Sequence, residues 1–394
     1  QGKNRTDQSK PIVVNDNIAN RPYSPHGIAV NNDQNSPDFG SIYVTECTDG
    51  VSGNATWGWL ASSKGRSLLK YDPALKFQTS YRKHKDGDPN SELFSLRNAN
   101  DLLEPHRVRI SDDGRIFVSS YNKNTSSGKP LVWELNKTTG KFTPIIYNNT
   151  SYGHRVYGMD VKGSGSGIKI LLCILLESTS NSSSKFQVYE YSLNSLGNDK
   201  NTGSKLFQYM PGSANQTVLT SCINNKYFHY TDGLVNVRYG SANRNDIFFG
   251  LDFFYNSSVA TTLVYYPSGA YGDPKYFNRT GDGHYYGGAG FIPYVDKNTK
   301  TERVAMGRCY QRTGSENDGR IQVYEIADIK NGNNTATPPY TTTTNTRSIV
   351  NDIAMDYAHN IYAVSFTDGT SNNGTGRIVA IAMPYDGKTT TIAP

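Results

Sequence analysis

A strand-turn-strand unit occurs three times along this chain, and that repetition constrains the fold more than any single residue does. The first copy is Ser24-Pro25-His26-Gly27-Ile28-Ala29-Val30, followed after a polar loop by Gly40-Ser41-Ile42-Tyr43-Val44-Thr45-Glu46. A second reads Glu104-Pro105-His106-Arg107-Val108-Arg109-Ile110, then Asp113-Gly114-Arg115-Ile116-Phe117-Val118-Ser119. The third is Val350-Asn351-Asp352-Ile353-Ala354-Met355 with Asn360-Ile361-Tyr362-Ala363-Val364-Ser365. Copies tens of residues apart, each built of short strands, are the pattern of a β-propeller in which every copy supplies one blade.

The rest of the chain fits that all-β reading. Its 394 residues include 28 Tyr but are only 36% hydrophobic, which suits many half-buried strands joined by polar loops and leaves little room for helices. Residues 1–22 read as an extension with one strand, Pro11 to Val14, and residues 23–394 as a single propeller domain. A strand from the N-terminus pairing with the last blade would close the ring and remove its open edges. Blades begin near Ser24, Arg107, Arg155, Asp232, Gly287 and Val350, which gives six. The stretch Lys205 to Phe228 reads either as an outer strand with a long loop or as a remnant of a seventh. Asn331 to Thr346, rich in Thr and Asn, reads as a linker.

The net charge of +6 is dispersed, and its densest basic run, Arg82-Lys83-His84-Lys85, is followed at once by Asp86 and Asp88. Nucleic-acid recognition wants a basic stripe, so that class is excluded. The longest apolar run, Ile168 to Leu176, is too short to span a bilayer and reads as a buried strand pair. Gln1 to Lys10 carry no apolar signal-peptide core, so a leader is either absent or removed. Sequons at Asn54, Asn136, Asn215, Asn256 and Asn278, in a composition sparing in Lys and Glu, point to an extracellular or cell-surface protein. Cys47, Cys173, Cys222 and Cys309 lie far apart and read as buried free thiols. A propeller closed on itself needs no partner to cover an edge, so a monomer is expected.

Two groups of residues could form a site. The first strand of each blade lines the central channel, and aligning the copies by apolar alternation puts His26, His106, Tyr157, Asp232 and Asn351 at one level. Tyr286 or His284 is the corresponding residue of blade five. Such a ring can hydrogen-bond a polar ligand, and His26, His106 and Asp232 have the donor chemistry of a zinc site. The alternative is a ring that only fills the channel. The second group comprises Trp57, Trp59, Tyr271 and Tyr285 in loops rich in Gly and Ser, where flat rings can stack on sugars or cover a protein surface. Tyr265, Tyr266 and Tyr276 belong to the same aromatic stretch. Glu46 reads as a solvated strand end, and Asp112-Asp113-Gly114 as a tight turn rather than a calcium loop.

The blade motif, Pro25-His26-Gly27-Ile28-Ala29-Val30 with Gly40-Ser41-Ile42-Tyr43-Val44 and its second copy from Arg107 to Val118, resembles that of the six-bladed NHL-repeat and gluconolactonase-like propellers. That resemblance implies calcium- or zinc-dependent lactonase or lyase chemistry at the channel mouth, with His26, His106 and Asp232 as ligands and Tyr157 moving a proton or orienting substrate. No cofactor is firmly implied beyond that zinc or calcium. Three functions follow as expectations: a non-catalytic propeller holding a glycan or other polar ligand on its loop face, a metal-dependent hydrolase or lyase, and an adhesive propeller whose partner is a protein.

Overall fold

The computed structural model describes residues 12–13, 25–46, 67–81, 83–84, 105–120, 130–147, 154–176, 185–193, 204–209, 235–251, 262–271, 274–278, 286–297, 299–311, 317–333, 336, 338, 340–343, 348–367 and 376–381. They form six small sheets. Sheet 1 is built from β2 (Pro25–Val30), β3 (Ile42–Glu46), β4 (Ser67–Tyr71) and β5 (Phe77–Tyr81). Sheet 2 follows with β7 (Pro105–Ile110), β8 (Ile116–Ser120), β9 (Pro130–Asn136) and β10 (Lys141–Tyr147), and a short parallel strand, β6 (Lys83–His84), on its outer edge. Sheet 3 holds β11 (His154–Lys162), β12 (Lys169–Leu176), β13 (Lys185–Ser192) and β14 (Ser204–Tyr209). Sheet 4 holds β15 (Val235–Tyr239), β16 (Ile247–Leu251), β17 (Thr262–Tyr266) and β18 (Lys275–Asn278). Sheet 5 holds β19 (Tyr286–Val295), β20 (Glu302–Gln311), β21 (Asn317–Glu325) and β22 (Tyr340–Thr343). Sheet 6 holds β23 (Ser348–Met355), β24 (Ile361–Thr367) and β25 (Gly376–Ile381), and its outer place is taken by β1 (Ile12–Val13), antiparallel to β25.

The expected N-terminal strand therefore does join the last sheet, through Ile12 opposite Ala380 and Val13 opposite Val379. Each sheet's first strand packs beside the first strand of the next: β2 on β7, β7 on β11, β11 on β15, β15 on β19, β19 on β23, and β23 on β2. Apolar side chains fill the spaces between sheets. Ile28, Val44 and Leu69 meet Tyr362, Val364 and Ile378 between sheets 1 and 6, and Phe117 and Val132 meet Met159 and Leu172 between sheets 2 and 3. Packing of this kind, rather than any one sheet, supplies the hydrophobic stabilisation.

Several expectations change here. Asn331 to Thr346 is not only a linker, because Tyr340–Thr343 pairs with β21 as the fourth strand of sheet 5. Of the ambiguous stretch after Lys205, the described part belongs to β14, the outer strand of sheet 3. The apolar run to Leu176 is one strand rather than two. Tyr265 and Tyr266 are buried within β17, so they do not belong to an exposed aromatic loop. Gly114 and Gly140 do turn hairpins, with φ of 76° and 70° that favour glycine. Helix is scarce among the described residues: one five-residue α-helix, α1 (Ile326–Lys330), buries Ile326 and Ile329 after β21.

Candidate functional site

The antiparallel order of each sheet gives the molecule two different ends. An inner strand starts at one end, the second strand returns to it, the third leaves from it and the fourth comes back. The connections at that end include residues 47–66, 121–129, 210–234 and 252–261. At the other end the chain turns tightly, as at residues 111–115 and 137–140. His26, His106, Tyr157 and Asn351 all lie toward the end with the long connections.

The structure brings the ring residues of four sheets together around Arg107, which is fully buried. Its Nε donates to the carbonyl of Tyr157 at 3.0 Å, and Nη1 donates to those of His26 at 2.5 Å and Asn351 at 2.7 Å. Nη2 donates to Val235 O at 3.1 Å. One guanidinium thus ties β7 to the inner strands of four other sheets. The imidazoles of His26 and His106 lie 5.3 Å apart, and the Tyr157 ring stands edge-on to His106 at 6.3 Å. Thr45 Oγ1 accepts from Gly27 N and donates to His106 O, while Asn351 Nδ2 donates to Pro25 O. All four ring side chains are buried.

The reason these carbonyls point inward is local. The ladder between β2 and β3 shifts register between Pro25 and Gly27, that of β11 between Val156 and Gly158, and that of β23 between Val350 and Asp352. An extra residue is thereby inserted at His26, Tyr157 and Asn351, and such a residue leaves the regular ladder. On β15 the carbonyl that Arg107 reaches belongs to Val235. Asp232 itself lies outside the described residues, as do Tyr285, Trp57, Trp59 and His284. Tyr286 opens β19 opposite Cys309. Tyr271 sits in the short connection after β17, at the end opposite His26, His106, Tyr157 and Asn351, where its hydroxyl donates to Asn245 O at 3.0 Å.

Beneath the ring, charge fills the channel. Asp352 follows Asn351 as Arg107 follows His106, and its two oxygens accept from Arg109 Nη1 at 2.7 Å, Arg238 Nη2 at 3.0 Å, Asn236 Nδ2 at 3.1 Å and Ile28 N at 3.1 Å. Two residues further along their strands, Arg109 and Arg238 also face Asp160, at 3.5 and 3.3 Å. Burial alone would raise the Asp352 carboxyl, but Arg109, Arg238 and Arg107 override it and hold the group below its ordinary range. Burial lowers Arg107 to about 10 against the opposing pull of Asp352. None of these charges was read from the sequence as part of a site. The available signal was two arginines, Arg107 and Arg109, at a spacing of two in a channel-lining strand, and acids in the matching strands of other copies.

The donor set for a metal is incomplete among the described residues, where no group of three or more His, Cys, Asp or Glu side chains gathers. His26 and His106 supply two imidazoles, and the Arg107 guanidinium in the same layer opposes a dication there. Glu46, expected at a solvated strand end, is instead buried and accepts from Ser67 Oγ at 3.0 Å. Asp112 and Asp113 form no calcium loop: Asp112 pairs with Arg244, and Asp113 accepts from Gly165 N. Cys173 is a buried free thiol, as expected.

The class of fold that these sheets define is the β-propeller. No protein-family model matches the chain, and no curated protein matches it in sequence. Among solved structures, an α-L-arabinofuranosidase from Fusarium graminearum, in complex with an iminosugar inhibitor, matches with a TM-score of 0.50 at 9% identity, covering 95% of this chain and 98% of that one. A GH93 α-L-arabinofuranosidase of Fusarium graminearum with arabinobiose matches with a TM-score of 0.49 at 9% identity, over 94% and 97%. A neuraminidase-like protein from A/bat/Guatemala/164/2009 matches with a TM-score of 0.45 at 10% identity, over 100% and 98%. At 9% identity the likeness to the first of these is one of fold.

Proposed function

We propose that this chain is a six-bladed propeller, closed by β1 on β25, of an exported or cell-surface protein. It binds a glycan or another polar ligand without metal at the end where His26, His106, Tyr157 and Asn351 stand. One observation carries the reading: imidazole, phenol and amide side chains converge above a buried, charge-paired floor of Arg107, Asp352, Arg109 and Arg238. A rigid base below and long chain connections around are what a ligand site on a propeller needs. The strands on either side of Trp57, Trp59 and Tyr285 have their described ends here, and flat rings are the side chains that stack on sugars.

A second reading, hydrolysis or elimination of a glycan or lactone at the same place, is favoured by a fold neighbour that is a glycosidase. The experiment is a glycan array on the purified protein, repeated with Trp57→Ala, Trp59→Ala and the His26→Ala, His106→Ala double variant. Signals lost in these variants support binding at this end. Signals unaffected by all of them remove the proposal, and release of reducing sugar from a bound glycan moves it to the second reading.

A further inference from the structure

The inserted residues of β2, β11 and β23 and the carbonyls that Arg107 takes are the same three residues: His26, Tyr157 and Asn351. A residue inserted into a ladder has its carbonyl turned out of the sheet, and in a buried channel that carbonyl needs a donor. Arg107 provides donors to all three from one planar group, and to Val235 as well. Its own place is fixed from behind, since its backbone N–H donates to Ser119 Oγ at 3.0 Å and Asp352 lies 3.9 Å from Nη1. A bulge also sets the direction of the side chain it carries.

We propose that Arg107 is the positioning residue of the site, holding the bulges at His26, Tyr157 and Asn351 so that their side chains, with His106, converge at the channel end. The inference rests on the reading of that ring as the ligand site, yet it concerns geometry that is present without ligand. A lysine keeps the charge but cannot present a planar fork to four carbonyls on separate strands. Geometry and charge can therefore be told apart.

The test is NMR of the full chain without ligand, following the imidazoles of His26 and His106 and the inter-ring NOEs of His26 with His106 and of His106 with Tyr157. Arg107→Met and Arg107→Lys are compared with Leu172→Ala, a core truncation between sheets 2 and 3 that serves as a control for lowered stability. Expected is at least a twofold loss of the inter-ring NOEs in both Arg107 variants and no loss in Leu172→Ala. Wild-type NOEs in Arg107→Lys would reduce the residue to a source of charge and overturn the inference. If neither variant folds, the unsubstituted protein decides. Four bonds to fixed carbonyls require separately resolved, slowly exchanging side-chain N–H signals from Arg107, and one averaged signal overturns the proposal. Because no ligand is present, failure of glycan binding and failure of this inference are read independently.

Discussion

The carboxylate of Asp352 lies 2.7 Å from Nη1 of Arg109, with both side chains withdrawn from solvent. The same carboxylate serves Arg238 and faces Arg107, so its removal leaves three guanidiniums confined in the channel with Asp160 as the opposing carboxylate among the described residues. Asp352→Asn is expected to cost about 3–5 kcal/mol, the usual penalty for breaking a buried ion pair by deleting one partner. Urea denaturation of the variant and the parent checks it. A loss below about 1 kcal/mol would mean that the arginines are satisfied by other groups.

The same pair sets an acid limit. Asp352 titrates below its ordinary value of 3.8 in the folded chain. Its contribution is therefore fully present above the unfolded value, near pH 4, and is lost as pH falls through the lower folded value. The denaturation midpoint should fall below pH 4 in the parent and lose part of that dependence in Asp352→Asn.

Gly158 marks how closely the inner strands approach. A Cβ built there would stand 2.7 Å from Val237 N and 2.9 Å from Asn236 Cα, both backbone atoms that cannot swing aside. Gly158→Ala should destabilise by about 1–3 kcal/mol, the range for overpacking. Gly167→Ala, with no atom within 4 Å, should remain near neutral. Thermal melts of the two variants are compared, and equal melting temperatures would contradict the strand spacing.

How much of this could be read beforehand follows from what repeats and what does not. The copies at His26, His106 and Asn351 share an apolar alternation, and alternation reports which face is buried, so sheets and ring level were legible. The apolar alternation does not report the bulges, which add a residue in β2, β11 and β23 and none in β15, where Val235 supplies the carbonyl to Arg107. The charged floor was not legible for a different reason. Arg109, Asp160, Arg238 and Asp352 come from four sheets, and sequence spacing cannot show that charges from separate repeats neutralise one another. The end at which Tyr271 stands was not legible either, because a loop's residue types do not say from which end of a strand it leaves.

His359 supplies a pH effect of the same sign but at higher pH, at the short-turn end. Burial, with Lys297 nearby, pushes its imidazole down to about 4 against the pull of Asp296. The unfolded chain then takes up a proton near pH 6.5 that the folded chain refuses, so stability falls as pH drops from about 6.5 to 4 and levels off below. Its backbone φ of 68° favours asparagine as the replacement. His359→Asn should flatten the change in urea midpoint between pH 7 and pH 5, with an effect below the single-proton limit of about 1.4 kcal/mol per pH unit because the ring is partly solvated. An unchanged slope would assign the pH dependence to other groups.

Metal content separates the proposed binding function from metal-dependent chemistry. Two imidazoles 5.3 Å apart can share a zinc ion only if a third donor reaches them, and the guanidinium bound to His26 O places positive charge beside that point. Protein purified without a metal-affinity step is therefore expected to carry zinc and calcium well below one equivalent by elemental analysis, with no difference in the His26→Ala, His106→Ala double variant. Near-stoichiometric metal that disappears in that variant would require a donor from residues 210–234, where Asp232 lies, and would turn the search to lactone and ester substrates. The physical ground is charge: with Arg107, Arg109 and Arg238 in the channel, a dication at this ring would need more carboxylate than Asp352 and Asp160 supply.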